Sequence, residues 1–405
     1  MPDTSFPASD GTWRDLHAEA GHSGSDGSGH VSSPLSGKRR FSLWAEPTWD
    51  DGDVQEADGA DTLAGVIPGG GRGASGRGHR DGGALRKARG RGDRNGPCFN
   101  IDVPENGYAW WYIDGVSDDG TQAVSVIAFI GSVFSPWYRW AGRKSPENHC
   151  CINVATYGRG GRFAMTDRGR SALRQTDHSF TVGPSSLHWD DNKLVINVEE
   201  ISSLPLISRM RGTITVTPSG LTDVELPLTP EGTHVWRPFS PTASIDVDLG
   251  PGWQWSGHGY FDSNFGTRAL EQDFDYWTWA RYPVPGGSVC IYDALRRDGS
   301  ELACAFKFAD DGSIALFDAP PKARVARSLW AVKRETRADA GYRPRQVKAM
   351  LDAPFYTRAV VRTQIDGVET EGVHEALDLN RFRGPWLMPM LAVRVPRRAG
   401  WTFAD

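Results

Sequence analysis

Familiar catalytic signatures are missing from this chain of 405 residues. It has no GxSxG elbow, no phosphate-binding loop, no GxGxxG following a strand and no HExxH, so serine-hydrolase, nucleotide and zincin chemistries have no foothold. Cysteine is scarce. The five residues at 98, 150, 151, 290 and 304 show no CxxC spacing and leave an odd count, which reads as reduced thiols in a reducing compartment. His149 beside Cys150 and Cys151 lacks the spaced partners of a zinc site, so a hydrogen-bonded histidine next to two buried thiols is expected there, and no metal. Long apolar runs are absent too: VSVIAFIGSVF, 124–134, is far short of a bilayer span, and the start MPDTSFPASDG has neither a basic nor an apolar signal region. No transmembrane helix or signal peptide is therefore expected. A net charge of −5 gives no electrostatic case for nucleic acid.

What the chain has in excess is tryptophan, sixteen in all, a residue that lines ligand clefts and membrane interfaces as well as cores. Its distribution follows a change in composition. Residues 1–97 are rich in Ser, Gly, Asp and then Arg/Gly, too poor in apolar surface to offset the entropy of ordering, and are expected to form a disordered leader. From Cys98 onward short Val-, Ile-, Thr- and Phe-rich segments such as KLVINVEEIS and ELACAFKFADDGSIALFDAP are separated by SDDG, RDGS and IDG turns. These predict an all-β fold of barrels or sandwiches, with helical periodicity confined to YRPRQVKAMLDAPF, 342–355. The PLTPEG and RPFSPTAS breaks suggest a seam near residue 240, hence two β-domains over 98–240 and 241–405.

The candidate chemistry lies where polar groups are embedded among aromatics. THVWRP carries His234 and Trp236 two apart, and WQWSGHGYFDSN carries Trp253, Trp255, His258, Tyr260 and Asp262. Residues two apart on a strand face the same side, so Trp253, Trp255, Tyr260 and Asp262 are expected to line one surface unless Gly257 or Gly259 marks a bulge. An aspartate among aromatics is either a solvated turn residue or a carboxyl kept protonated for chemistry.

GYAWWYIDGVSDDGTQAVSVIAFIGSVFSPWY (107–138), NHCCINVATYG (148–158), THVWRP (233–238) and the GHGYFDSNFGT to WTWARY block resemble the carotenoid 1,2-hydratases, also called hydroxyneurosporene synthases. The resemblance covers roughly residues 98–405. It implies two tandem lipocalin-like β-domains, no cofactor, and addition of water across the terminal C1=C2 bond of acyclic carotenoids such as neurosporene and lycopene. It also implies four functional residues, His234, Trp236, Tyr260 and Asp262, with the aspartate as proton donor. Trp253, Trp255, His258, Phe265, Trp277 and Trp279 are then expected to bind substrate, and His234 either activates water or holds Asp262 in place. Such a substrate implies peripheral contact with the cytoplasmic side of a membrane. RFRGPWLMPMLAVRVPRRAGW near the C-terminus reads either as an interfacial docking surface or as a final core strand with exposed arginines. Rival readings are a polyene cyclase on the same scaffold, a carotenoid or terpenoid carrier without turnover, and a carbohydrate-binding sandwich.

Overall fold

The computed structural model describes residues 86–87, 96–204 and 207–399, so all but a few residues of the expected disordered leader lie outside the described residues. Strands dominate, and every described strand pairing is antiparallel except that of Arg397–Arg398 with Asp167–Arg168. One sheet of fifteen strands and one of seven carry the fold, with a two-stranded ribbon beside them. In the larger sheet the central order is Cys150–Tyr157, Ala123–Ile130, Tyr108–Ser117, Gln254–Gly266, His234–Asp248, Arg209–Pro218 and Lys193–Ile201. This sheet curls on itself without closing: Trp111 and Phe180 stand far apart in the strand order, yet their rings are 5.1 Å apart. The smaller sheet runs from Ile314–Leu316 through Glu301–Ala309, Gly287–Arg296, Phe274–Val284, Val368–Asp378 and Tyr356–Ile365 to Arg345–Asp352.

The burial patterns report which strands lie between layers. Lys193–Ile201 alternates buried with exposed positions, as expected of a strand with one face in water. Ala123–Ile130 and Cys150–Tyr157 are buried at every position, because one face meets the core inside the curl and the other meets the smaller sheet. Two large apolar clusters result, with two smaller ones beside them among the described residues. The first, inside the curl, contains Trp111, Ile113, Phe261, Ile245 and Trp253. The second, between the sheets, brings Tyr108, Tyr112, Trp236 and Tyr260 against Trp277, Trp279, Tyr292 and Phe306.

Two sequence expectations give way. Residues 345–352 form an edge strand and not a helix; register shifts between Gln346 and Lys348 and between Ala349 and Leu351 break the period of two and leave apolar spacings that mimic a helical face. The C-terminal segment is not a core strand: its main element is the helix Leu387–Arg394, whose Leu387, Met388 and Leu391 enter the inter-sheet core. Residue 240 lies inside the continuous strand His234–Asp248, and the chain passes from the larger to the smaller sheet between residues 266 and 274. Cys150, Cys151, Cys290 and Cys304 are buried, and His149 is hydrogen-bonded by Arg397 at 3.0 Å.

Candidate active site

Three neighbouring strands build the site, and their register decides which side chains meet. Asp262 stands opposite Tyr112, Tyr260 opposite Asp114, and Gly266 opposite Tyr108 on the Tyr108–Ser117 strand. On the other side Asn264 pairs with Trp236 and Gly266 with His234. The ladder between Gly257 and Gly266 has no bulge on the Tyr112 side, so the even-numbered residues 258, 260 and 262 share one face, which looks toward the smaller sheet.

Asp262 is buried in that face. Its Oδ2 accepts hydrogen bonds from the Trp236 indole N–H at 2.8 Å and the Tyr260 hydroxyl at 2.7 Å, while Oδ1 is buried with no hydrogen-bond partner. Burial pushes the carboxyl up to about 8, against the two donors, which favour the anion and pull the other way. About nine-tenths of such a group is protonated at pH 7. A proton on Oδ1 is the arrangement that leaves Oδ2 free to accept both bonds. The surrounding walls are aromatic: Trp236 lies 5.7 Å from Tyr292 and 6.1 Å from Phe306, and Trp279 lies 5.0 Å from Tyr260 and 5.6 Å from Tyr112. The Trp279 Nε1 is also buried without a partner.

His234, fully buried, does not bond Asp262. Its Nδ1 faces the Tyr108 hydroxyl at 2.8 Å and its Nε2 faces Asp273 Oδ2 at 2.8 Å. Asp273 belongs to the short helix Leu270–Asp273 in the link between the sheets and also receives Thr233 and Arg268. Burial lowers the imidazole below its usual range, more strongly than Asp273 raises it. Burial raises the Asp273 carboxyl, but the hydrogen bond from His234, with the Arg268 charge and the Thr233 hydroxyl, holds it below the ordinary value. A carboxylate can only accept, so Nε2 carries the proton and donates to Asp273, and Nδ1 accepts from Tyr108. Gly266 makes room for this contact: a Cβ there would stand 2.6 Å from the Tyr108 ring and 2.8 Å from Nδ1.

Ion pairs close the space between the sheets. Arg281, from the smaller sheet, donates through Nε to Asp114 at 2.6 Å and through an Nη to His258 Nδ1 at 2.9 Å; Tyr112 donates to the other oxygen of Asp114 at 2.8 Å. Arg358 pairs with Glu375 at 2.7 Å on its own sheet and donates to the hydroxyls of Ser125 and Tyr157 on the other. Its guanidinium sits 5.1 Å from the Tyr112 ring. These charges were legible only as an anomaly of pattern, Asp114 within YAWWYIDGVS and Arg281 within FDYWTWARYPV, each at a position where the alternation calls for an apolar side chain.

The expected substrate set divides between the two cores. Trp277 and Trp279 join the inter-sheet cluster. Trp253, Trp255 and Phe265 pack into or against the cluster inside the curl, on the far side of the sheet from Asp262, because odd and even positions separate where no bulge intervenes. The expected common surface of Trp253, Trp255, Tyr260 and Asp262 is thus overturned by parity. His258 shares the Asp262 face but is committed to Arg281; burial and then that cation hold its imidazole down to about 3. Among the described residues no cluster of His, Cys, Asp or Glu is placed to hold a metal ion.

A largely antiparallel all-β protein with a carboxyl buried in an aromatic core between two sheets is the class that these features define. The family model described as carotenoid hydratase CrtC matches residues 126–404. The acyclic carotenoid 1,2-hydratase of Cereibacter sphaeroides is 64% identical over 279 residues, 69% of this chain and 100% of that protein. That of Thiocapsa roseopersicina is 41% identical over 378 residues, covering 92% and 93%. Among solved structures, kievitone hydratase from Nectria haematococca is similar over 68% of this chain and 90% of its own, at 9% identity and a TM-score of 0.41. The chain belongs to the carotenoid hydratase family.

Proposed function

We propose that the chain adds water, without a cofactor, across the terminal C1=C2 bond of acyclic carotenoids such as neurosporene and lycopene, giving 1-hydroxy carotenoids. The names of its relatives support the substrate class. The observation that carries the mechanism is Asp262: a buried carboxyl whose Oδ2 takes two donors and whose Oδ1 has none. An isolated trisubstituted alkene is a weak base, and it needs a dry acid that still holds its proton at neutral pH. Asp262 gives the proton to C2, and positive charge develops on the tertiary carbon C1. Trp236 and Tyr260 face this region, and an aromatic face stabilises a desolvated cation by about 2 kcal/mol or more. Water then captures C1. Substrate and product differ by one water, so no redox or nucleotide step is required.

The polyene reaches this core from a membrane. The helix Leu387–Arg394 packs its inner face on the inter-sheet core and against the helix Pro136–Trp140, while Trp140 and Val393 on these helices and Trp386, which precedes the second, are more than half exposed. These side chains suit the interfacial zone of a bilayer. No described helix is long and apolar enough to cross a membrane. Incubation with lycopene or neurosporene in H₂¹⁸O, followed by mass spectrometry, tests the reaction. A product heavier by one labelled water, absent with Asp262→Asn, is expected; unchanged pigment that stays bound to the protein would make the chain a carrier. Co-sedimentation with lipid vesicles, weakened by Trp140→Ala/Trp386→Ala, tests the docking.

A further inference from the structure

We propose that Tyr108 is a catalytic residue of this hydration: its hydroxyl orients the reacting water and takes its proton, with His234 and Asp273 as positioning residues behind it. The inference rests on the hydration reading above. It starts from the tautomer that Asp273 imposes. With Nε2–H donated to a carboxylate, Nδ1 is a bare lone pair, and the Tyr108 O–H points at it. The imidazole therefore has no nitrogen left for a water, and the end of the chain that can meet one is the phenol oxygen, which keeps lone pairs free. A hydroxyl, an imidazole and a carboxylate in series form the arrangement by which hydroxyl groups are made basic in acyl-transfer enzymes, here with a phenol at its head.

The placement along the strand agrees. Asp262 has a histidine four residues away in each direction, about 13 Å of strand: His258 on its own strand and His234 opposite Gly266. His258 receives a guanidinium N–H on its lone pair and cannot take a proton. Trp279 can donate to a water through its unpartnered Nε1 but has no lone pair to deprotonate it. That leaves the His234 side. A line from acid through C2 and C1 to water and then to a hydroxyl, at about 3 Å per non-bonded step, spans roughly 10 Å, which side chains leaning inward from that backbone separation can match. Trp236 lies between them, two residues from His234 and bonded to Asp262.

The protons balance. Asp262 loses H⁺ to C2. The added water becomes a protonated alcohol on C1 and gives its proton to the Tyr108 oxygen as the Tyr108 proton passes to His234 Nδ1. The imidazolium is stabilised by Asp273, which reaches the solvent edge, and the proton is released there. Asp262 regains one from water before the next turnover.

The test separates protonation from water capture. Wild type, Tyr108→Phe, Asp273→Asn and Trp279→Phe are given lycopene in detergent micelles in D₂O, and mass spectrometry follows both hydrated product and deuterium at C2 of recovered lycopene. Tyr108→Phe removes one oxygen and keeps the ring, and its folding is checked by thermal melting. Hydration is expected to fall about 100-fold in Tyr108→Phe and in Asp273→Asn, with no further loss in the double variant, while deuterium exchange persists. Tyr108→Phe that hydrates within twofold of wild type, or that loses exchange and hydration in parallel, overturns the proposal; so does a shift in their ratio produced by Trp279→Phe alone. A wild-type protein that neither exchanges nor hydrates overturns the hydration reading itself.

Discussion

At the scale of single residues, Asp262 trades stability for acidity. Its folded-state carboxyl, at about 8, lies above the unfolded value, so the folded chain binds the extra proton; the stability this contributes is full below the unfolded value near 4 and is lost as pH rises through about 8. Asp262→Asn mimics the protonated form and removes the titration. Its melting temperature is expected to change little between pH 5 and 9 while that of the wild type falls, and calorimetry across that range checks it. Hydration by the wild type is expected to decline about tenfold per unit above pH 8, as the acid is lost. Tyr260→Phe deletes a donor that favours the anion, so the alkaline limb of its kcat/KM profile should move to higher pH while the plateau falls, since the acid becomes weaker. Asp262 could be singled out from sequence because a carboxyl among aromatics is costly and therefore conspicuous. Tyr108 could not: its partner is 126 residues away, and nothing local distinguishes it from the other aromatics of GYAWWY.

At the scale of elements, strand parity separates scaffold from chemistry. Trp253 and Trp236 are both buried tryptophans, but they point into different cores. Trp253→Ala is expected to cost about 3–5 kcal/mol in denaturant titrations and to leave the specific activity of the folded protein intact, whereas Trp236→Phe should cost activity first. Gly266→Ala places a methyl against Tyr108 and His234; it should destabilise by about 1–3 kcal/mol and lower hydration with little change in KM, as steady-state kinetics would reveal. Where alternation was clear, as in KLVINVEEIS, periodicity read the strand correctly because side-chain alternation is set by the backbone. It failed at 345–352, where register shifts imitate a helix, and again in the common surface expected for Trp253, Trp255, Tyr260 and Asp262, because a strand without a bulge sends odd and even positions to opposite faces.

At the scale of the whole molecule, buried arginines fasten one sheet to the other, Arg281 through Asp114 and Arg358, held by Glu375 on its own sheet, through the hydroxyls of Ser125 and Tyr157. Arg358→Met strands Glu375 and should destabilise by about 3–5 kcal/mol, with much of this recovered in Arg358→Met/Glu375→Leu, as paired denaturant curves would show. Glu375 also raises the Asp262 carboxyl, so the double variant should move the alkaline limb of the activity profile downward. The all-β class was visible in the turns and in the β-branched segments. The division into sheets was not, because clustered prolines read as a break, whereas here they lie in and beside the long strand His234–Asp248.

That division also sets a timetable for synthesis. Tyr112 must pair with Asp262, which leaves the ribosome 150 residues later. At about 5–20 residues per second the wait is roughly 8–30 s. Throughout it, the Tyr108–Ser117 strand, apolar on both faces, has one edge without its final neighbour. The nascent chain is therefore expected to depend on a holding chaperone, and codon changes that slow translation between residues 118 and 254 should lower the yield of folded protein without altering a single amino acid.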